Sequence, residues 1–317
     1  MGARRYALLI TALLSHIVKG QTERNTYGAL LSINNRVPLW EKENVSVAGH
    51  FPALPFPVNT LSINYTRLIA DIHSFSIIWS NISINEKWKL LPGMYYRYWG
   101  KFTGMDEKGE FQGYFYVHEI SPSIASVHKF GKFYTGISLS VPFYFFYQFM
   151  EVNGVISWGA TYIDTTKDLM IGIGLSDFVF PIKRTYSRGV YGVPWINCGI
   201  AFPVYGRELR LFFSIYDILR WQMPDYSSSF FRSLLSLKTW VYHLLSGITY
   251  RKENLEIMIS FDSGQRIRQM SDQFSFVFSG FAAGIKFISG NFSVVYAIKP
   301  FYGDFISHSL TIDAKVK

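Results

Sequence analysis

A succession of strand-like segments constrains the fold of this chain more than any other feature of its sequence. From residue 58 onward the chain divides into fourteen segments, many of which alternate apolar with small or polar residues. The segment "SHSLTIDAKV", residues 307–316, alternates in this way from Ser309 to Val316. Several segments match or exceed the about ten residues with which a tilted strand crosses a bilayer. The candidate strands are residues 58–67, 72–80, 88–102, 113–128, 132–149, 153–164, 168–180, 194–204, 208–220, 238–252, 254–263, 274–288, 291–302 and 305–316.

The connections between these segments support a barrel independently. Strands in lipid must pair every backbone group, so they have to close on themselves. An even-numbered barrel alternates short periplasmic turns with longer external loops. The connections follow this asymmetry, with 81–87 as the one longer connection on the periplasmic side. We therefore predict an all-β fold, a 14-stranded antiparallel transmembrane outer-membrane β-barrel, with a secreted β-sandwich as the alternative. The short connections include 129–131, 165–167 and 252–254, and the long ones are 103–112, 181–193, 221–237 and 264–273.

The stretch "DLMIGIGLSDF", residues 168–178, contains Gly172-x-Gly174 and invites comparison with nucleotide-binding loops. A dinucleotide fingerprint needs a third glycine three residues on and a helix behind it. Asp177 stands in that position, and the Phe-Val-Phe-Pro sequence at 178–181 cannot open a helix. With a period of two, the stretch is instead a strand with one apolar face and one face of small or polar residues.

The N-terminus has the three parts of a secretory signal peptide. Residues 1–5 are basic, residues 7–18 are apolar, and small residues precede Gln21, so we expect cleavage there. Removal of this peptide lowers the formal net charge by three, from +9 to +6. We predict a signal peptide at 1–20, an N-terminal periplasmic or plug segment at 21–57, and the barrel at 58–317.

The remaining positive charge is spread over turns and loops. This distribution argues against nucleic acid as a partner, because nucleic-acid sites collect lysine and arginine on one face. Outer-membrane lipid, lipopolysaccharide or another acidic surface glycan fits an exported protein better.

No pattern in the sequence points to catalysis or to a metal. The single cysteine, Cys198, excludes an internal disulfide and a cysteine-based zinc site. The histidines lack metal-ligand spacing, and there is no H-E-x-x-H motif. Barrel enzymes exist, and His243 and His308 each lie near serines, but residues adjacent on a strand point to opposite faces. We predict that the chain is not an enzyme and needs no cofactor or metal.

Aromatic residues cluster toward the strand ends, where tyrosine and tryptophan rings are favoured at the level of the lipid headgroups. We expect this position for Trp88, Tyr95, Tyr96, Tyr98 and Trp99.

Two long external loops combine aromatic and basic residues, which is the composition of protein-interface hot spots. The loop 221–237 is either a partner-binding surface or a lid over the barrel mouth. The loop 181–193 suits an acidic glycan or an acidic partner. The candidate partner-binding residues are Trp221, Tyr226, Phe230, Phe231 and Arg232 in the first loop, and Lys183, Arg184 and Arg188 in the second.

Residues 95–146 resemble the PorQ family of the type IX secretion system, which belongs to the FadL-like barrels of the Bacteroidetes outer membrane. The resemblance rests on the tyrosine, glycine and phenylalanine of a strand end, followed by an acidic loop with glycine. The stretches "DLMIGIGLSDF", "YDILRW" at 216–221 and "HSLTID" at 308–313 are similar to further family elements. The matching residues in the first stretch are Tyr98, Gly100, Phe102, Asp106, Glu107 and Gly109.

This resemblance implies a FadL-like barrel that serves as a non-enzymatic component of the cell-surface attachment complex. Such a barrel anchors a PorZ-like surface protein alongside the PorU sortase and PorV. The alternative is a FadL-type transporter of hydrophobic small molecules such as long-chain fatty acids. That transporter needs a lateral opening at a strand kink, and Pro142 is the candidate for one, because proline removes a ladder hydrogen bond.

Overall fold

A computed structural model describes most of the chain from residue 60 onward. None of the helices among the described residues is long and apolar enough to cross a membrane. The predicted signal peptide and plug segment, 1–57, lie outside the described residues. The described residues are 60–67, 72–79, 82–83, 85, 87–105, 111–146, 149–183, 195–205, 208–215, 240–241, 243–263, 280–300 and 306–315.

Sixteen β-segments make up almost all of this part of the chain. They are β1 (Thr60–Arg67), β2 (His73–Trp79), β3 (Ile82–Ser83), β4 (Trp88–Met105), β5 (Phe111–Phe130), β6 (Phe133–Ser140), β7 (Phe143–Phe146), β8 (Phe149–Asp164), β9 (Leu169–Lys183), β10 (Trp195–Tyr205), β11 (Leu209–Ile215), β12 (Leu244–Lys252), β13 (Leu255–Asp262), β14 (Phe281–Ser289), β15 (Phe292–Pro300) and β16 (Ile306–Lys315).

The segments form one closed antiparallel barrel. Each strand pairs with its neighbours in sequence, and the first strand pairs with the last, from Thr60 opposite Lys315 to Arg67 opposite His308. Both β2 and β3 pair with β4, and both β6 and β7 pair with β5 and β8, so each couple is one interrupted barrel strand. The described segments therefore make fourteen barrel strands, which confirms the predicted fold.

Side-chain alternation divides the barrel into an apolar outside and a mainly polar inside. In β16 the inward residues from Ser307 to Asp313 are buried, while the outward Leu310 and Ile312 are exposed. In β9 the glycines 172 and 174 face inward and isoleucines 171 and 173 face outward, as the period of two predicts. Exposed isoleucine and phenylalanine side chains on an isolated chain mark the surface that lipid covers.

The two ends of the barrel differ in their connections. At one end, here the short-turn end, tight turns such as 131–132, 253–254 and 290–291 join the strands. Positive φ angles of 59° at Gly131 and 55° at Gly290 fit such turns, because glycine carries no Cβ penalty there. The opposite end, here the loop end, carries the longer connections. Short periplasmic turns and longer external loops are the usual asymmetry, so the loop end faces outward from the cell.

Candidate functional site at the loop end of the barrel

A row of polar and charged residues crosses the barrel interior near the loop end. Arg97 of β4 is the Cα partner of Glu119 of β5. Glu119 is in turn the partner of Tyr144 of β7, and Tyr144 is the partner of Glu151 of β8. Arg97 is 1% exposed and Glu119 is 0% exposed. Burying charges is costly unless opposite charges and dipoles compensate, so this row is a specific structural feature of the interior.

Two aromatic rings enclose the Arg97 guanidinium. Its Cζ atom lies 5.1 Å from the ring centroid of Tyr95 and 4.8 Å from that of Trp99, both within cation–π range. All three residues lie on the inward face of β4, two positions apart. The prediction that Tyr95 and Trp99 sit at the lipid headgroups is therefore wrong, because the strand parity turns them inward. Tyr96 and Tyr98, between them, do face outward.

A second polar network joins the first barrel strand to the last. The side chain of Asn64 donates to Ser309 Oγ at 2.9 Å and to Thr311 Oγ1 at 2.8 Å. Thr66 Oγ1 donates to Asn64 Oδ1 at 3.1 Å. These groups are buried, and they connect β1 with β16 inside the seam that closes the barrel. The seam is thus held by side chains in addition to the backbone ladder.

Asp313 extends this network toward the short-turn end. Ser62 Oγ donates to Asp313 Oδ1 at 2.5 Å, and Ser293 Oγ donates to Asp313 Oδ2 at 2.9 Å. On β13 and β14, Glu256 and Lys286 are buried Cα partners of opposite charge. Buried inward groups at several levels indicate that the described interior is packed rather than lined by bulk water.

The strand predicted at 132–149 is interrupted where the sequence places Pro142. β6 ends at Ser140 and β7 begins at Phe143. The interruption is bridged on both sides, since Val141 N donates to the Pro122 carbonyl at 3.0 Å and Asn153 N donates to the Pro142 carbonyl at 3.1 Å. Pro142 therefore breaks the regular ladder, as expected of a proline, and backbone hydrogen bonds still hold the neighbouring strands together.

The β4–β5 hairpin projects at the loop end beyond the other described strands. Residues 101–105 and 111–116 pair with each other, and no other described strand pairs with them. Phe102 and Phe115 stack at 5.4 Å on the inward side and pack against the buried Val117 and Tyr144. We call residues 101–105 and 111–116 the hairpin extension. At about 3.4 Å per residue and a tilt of about 40°, the twenty residues of β5 exceed the apolar band of about 25 Å.

The outer face of the hairpin extension is aromatic and basic. Tyr114 is 56% exposed and Tyr116 is 49% exposed. The Lys101 ammonium lies 3.4 Å from the Tyr114 ring centroid. Gly100, at φ 102°, forms the bulge from which the extension starts, a conformation that glycine adopts easily. The extension therefore presents rigid aromatic side chains on a paired scaffold.

Three tyrosine–histidine pairs lie on the outer surface below this extension. The hydroxyls of Tyr65, Tyr96 and Tyr296 lie 2.7, 2.9 and 2.8 Å from Nδ1 of their histidine partners on neighbouring strands. The respective partners are His73, His118 and His308. The rings of each pair are nearly parallel, with centroids about 6 Å apart. Amphipathic rings at this height fit the headgroup level of the outer leaflet.

Most of the partner-binding residues predicted from the sequence lie outside the described part of the chain. Lys183 is the exposed last residue of β9, at the loop end as expected. The residues that lie outside the described part of the chain are Arg184, Arg188, Trp221, Tyr226, Phe230, Phe231 and Arg232. The hairpin extension was not among the predicted sites, although the alternating Tyr114 and Tyr116 at the start of the predicted strand 113–128 are a signal that could have identified it.

The serine–histidine arrangement around His308 is excluded by strand parity. His308 lies on the outer face, whereas Ser307 and Ser309 are buried inside the barrel and bond to the Arg67 carbonyl and to Asn64. Among the described residues, no three histidine, cysteine, aspartate or glutamate side chains come together as a metal site.

The closed barrel, its apolar outer surface and its mainly polar interior define an outer-membrane β-barrel protein. No protein-family model and no curated protein matches the chain. Among solved structures, the chain is similar to the toluene transporter TodX of Pseudomonas putida, at 9% identity and a TM-score of 0.43, over 80% of this chain and 86% of that one. It is also similar to a FadL homologue of Pseudomonas aeruginosa, at 8% identity and a TM-score of 0.40, over 81% and 89% of the two chains. At these values we draw no inference about function from the similarity.

Proposed function

We propose that the protein is a non-enzymatic outer-membrane anchor in a type IX secretion attachment complex, where it holds a PorZ-like surface protein alongside the PorU sortase and PorV. The resemblance of residues 95–146 to the PorQ family supports this proposal. Tyr98, Gly100 and Phe102, three of the residues that carry the resemblance, lie on β4, which builds the hairpin extension together with β5. Asp106, Glu107 and Gly109 lie outside the described residues.

The hairpin extension is the observation that carries the proposal. An anchor needs a rigid element that stands above the membrane and offers a few large side chains to a partner. Tyr114 and Tyr116 meet that requirement, because the stacked Phe102 and Phe115 fix the other face of the same hairpin in the barrel interior. Tyrosine is one of the residues enriched in the centres of protein interfaces.

The packed interior supports an anchor more than an open channel. Arg97 and Glu119 are fully buried close to the loop end, where a conducting pore would wet its lining residues. The side chains of Tyr95 and Trp99 fill the space on either side of the guanidinium. In a barrel whose interior is filled by packed side chains, the rims are the surfaces that bind a partner.

Extraction of the tagged protein from its native outer membrane tests the anchor function. We expect a PorZ-like surface protein and sortase components to stay bound through purification in mild detergent. The double variant Tyr114→Ala/Tyr116→Ala should lose the surface protein, since truncation of central aromatic residues costs about 2 kcal/mol or more each. Phe130→Ala is the matched control, because Phe130 is an equally exposed aromatic residue at the short-turn end of the same β5 strand. Recovery of the surface protein with the double variant would contradict the proposal.

A FadL-type transporter of hydrophobic small molecules is the second candidate, and the interruption at Val141–Pro142 is the observation that favours it. An irregular ladder is where a barrel wall opens most easily. The two bridging hydrogen bonds at 3.0 and 3.1 Å oppose it, because they close the wall at this point. Recovery of the barrel alone, with fatty acid bound and with uptake lost on deletion, would favour the transporter.

A further inference from the structure

Outward-facing residues of five consecutive strands form a polar row near the loop end of the barrel. His308 on β16 is the Cα partner of Arg67 on β1, which is the partner of His73 on β2. His73 is the partner of Tyr98 on β4, which is the partner of His118 on β5. We call these five residues the histidine row. At about 4.8 Å between strands, the row is about 19 Å wide.

Each histidine of the row is oriented by a tyrosine. The hydroxyls of Tyr65, Tyr96 and Tyr296 bond to Nδ1 of the histidines, at 2.7 to 2.9 Å. When the hydroxyl donates, the proton of a neutral imidazole must be on Nε2, and an imidazolium carries a proton on both nitrogens. In these two states Nε2 is a hydrogen-bond donor, whereas it is an acceptor in the neutral tautomer whose Nδ1–H donates to the tyrosine oxygen. Nε2 has no hydrogen-bond partner among the described residues. With the hydroxyls donating or the rings protonated, the row presents three outward N–H donors.

The surroundings of the row favour an anionic group. On the outer faces of β16, β1, β2, β4 and β5, the described residues include no carboxylate. The cations on these faces are Arg67 and Lys101, and Lys101 lies farther toward the loop end than the row. Glu119 is adjacent to His118 in sequence, but it faces the interior and is fully buried.

The surface below the row is apolar. Toward the membrane centre the same strands present Leu310 and Ile312, Phe75 and Ile77, and Ile120 on their outer faces. A free phosphate ion would use the row and leave this surface unused. An amphiphile with an anionic head and several acyl chains would contact both, with its head at the row and its chains along the apolar strands.

We propose that the histidine row binds the phosphate groups of an outer-leaflet glycolipid of the lipid A type. The loop end faces outward, so the row lies at the headgroup level of the leaflet where such lipids reside. Hydrogen bonds from Nε2 and from the guanidinium to phosphate are charge-assisted and therefore stronger than neutral ones. The three tyrosines contribute by fixing the histidine rings with Nε2 outward. This inference is independent of the anchor function proposed above, since it concerns the lipid-facing surface and no protein partner.

Native mass spectrometry of the detergent-purified full-length protein, titrated with diphosphorylated lipid A, tests the proposal. The variant His73→Phe/His118→Phe/His308→Phe keeps three aromatic rings at the headgroup level and removes the donors. We expect it to bind lipid A at least about tenfold more weakly than the unmodified protein, because several charge-assisted hydrogen bonds are lost. His128→Phe is the matched control, since His128 lies at the short-turn end of the same β5 strand as His118. It should bind lipid A as the unmodified protein does.

A second lipid and a second variant make the result independent of folding. Lipid A without phosphates should bind the unmodified protein as weakly as phosphorylated lipid A binds the histidine variant. The variant Tyr65→Phe/Tyr96→Phe/Tyr296→Phe keeps every ring and frees the tautomers, so it should weaken binding by an intermediate factor. Equal binding of lipid A with and without phosphates would overturn the proposal, and so would unchanged binding by a folded histidine variant. Either result would mean that the histidine row acts only as part of an aromatic belt at the headgroup level and does not bind phosphate.

Discussion

Arg97 and Glu119 face each other across β4 and β5 as Cα partners, and both side chains are almost completely buried inside the barrel. Opposite charges at one buried level of a barrel stabilise each other only as a set, because removal of one leaves the other uncompensated in a medium of low dielectric constant.

This relationship predicts that loss of one charge is worse than loss of both. Glu119→Ala or Arg97→Ala should each lower the free energy of unfolding by about 3–5 kcal/mol, the usual cost of leaving one buried charge without its opposite charge. Arg97→Met/Glu119→Leu should recover much of that loss. Denaturant unfolding in lipid vesicles, followed by tryptophan fluorescence, measures all three. If the double variant is as unstable as the sum of the single ones, the two charges act independently.

Close packing of an aromatic ring on a glycine gives a second prediction. A Cβ atom at Gly247 would lie 2.2 Å from Cζ of Phe212 and 2.6 Å from the carbonyl oxygen of Ile259. Gly247→Ala should therefore displace the buried Phe212 ring and destabilise the barrel by about 1–3 kcal/mol. Gly284→Ala is the control, because its nearest atom is Met258 Cε at 3.2 Å, the end of a flexible side chain. Equal stability of the two variants would show that the close contact has no energetic consequence.

The β1–β16 seam provides a third prediction. Asn64→Leu removes the hydrogen bonds to Ser309 and Thr311 and leaves their hydroxyls buried, which should cost about 1–3 kcal/mol. Ser76→Ala is the comparison, since Ser76 Oγ is buried in the same interior without a hydrogen-bond partner. That variant should be neutral or slightly stabilising. The loss of heat-resistant migration in gel electrophoresis reports the closure of the barrel directly.

The short-turn end allows a prediction about pH. Lys132 donates to Asp164 at 2.9 Å, and this hydrogen bond raises the pKa of the lysine above its ordinary value of 10.5. A raised pKa means that the contribution to stability is complete below the unfolded pKa and is lost only as pH rises through the folded pKa. The stability difference between the unmodified protein and Lys132→Met should thus be constant from about pH 6 to 9 and vanish in strong alkali. A difference that changes near neutrality would assign the effect to another group.

Asp164 also organises the turn between β8 and β9. Its Oδ1 accepts from Thr166 Oγ1 at 2.6 Å and from the backbone nitrogens of Thr166 and Lys167 at 3.0 and 3.3 Å. Asp164→Ala should consequently slow hairpin formation and lower the yield of folded barrel more than Lys132→Met does. Refolding from urea into detergent micelles compares the two variants.

The strands and their parity are readable from the sequence, because inside and outside impose a period of two on every segment. The stretch at 168–178 illustrates this, since the structure makes it strand β9 with the expected apolar outer face. Features that depend on the register between strands cannot be predicted from this alternation. The Arg97–Glu119 level, the Asn64 network and the histidine row each join residues more than twenty positions apart, and register decides which of them meet.

The full lengths of β4 and β5 were the second feature that the sequence did not predict. Alternation predicted that β4 and β5 end near Phe102 and begin near Gly113, where a glycine usually marks a turn. In the structure Gly100 and Gly113 have positive φ angles inside the hairpin, and pairing continues to Met105 and Phe111. The glycines are bulge positions rather than strand ends, so the sequence did not predict the paired residues 103–105 and 111–112 of the hairpin extension.

Site-specific photo-crosslinking at Tyr114 in living cells tests the anchor function most directly, because it reports what touches the hairpin extension in the native membrane. We predict a crosslink from Tyr114 to a PorZ-like surface protein, and no such crosslink from Phe130 at the opposite end of the barrel. A crosslink from both positions to lipid alone, with the surface protein still attached to the cell when the barrel is deleted, would contradict the account.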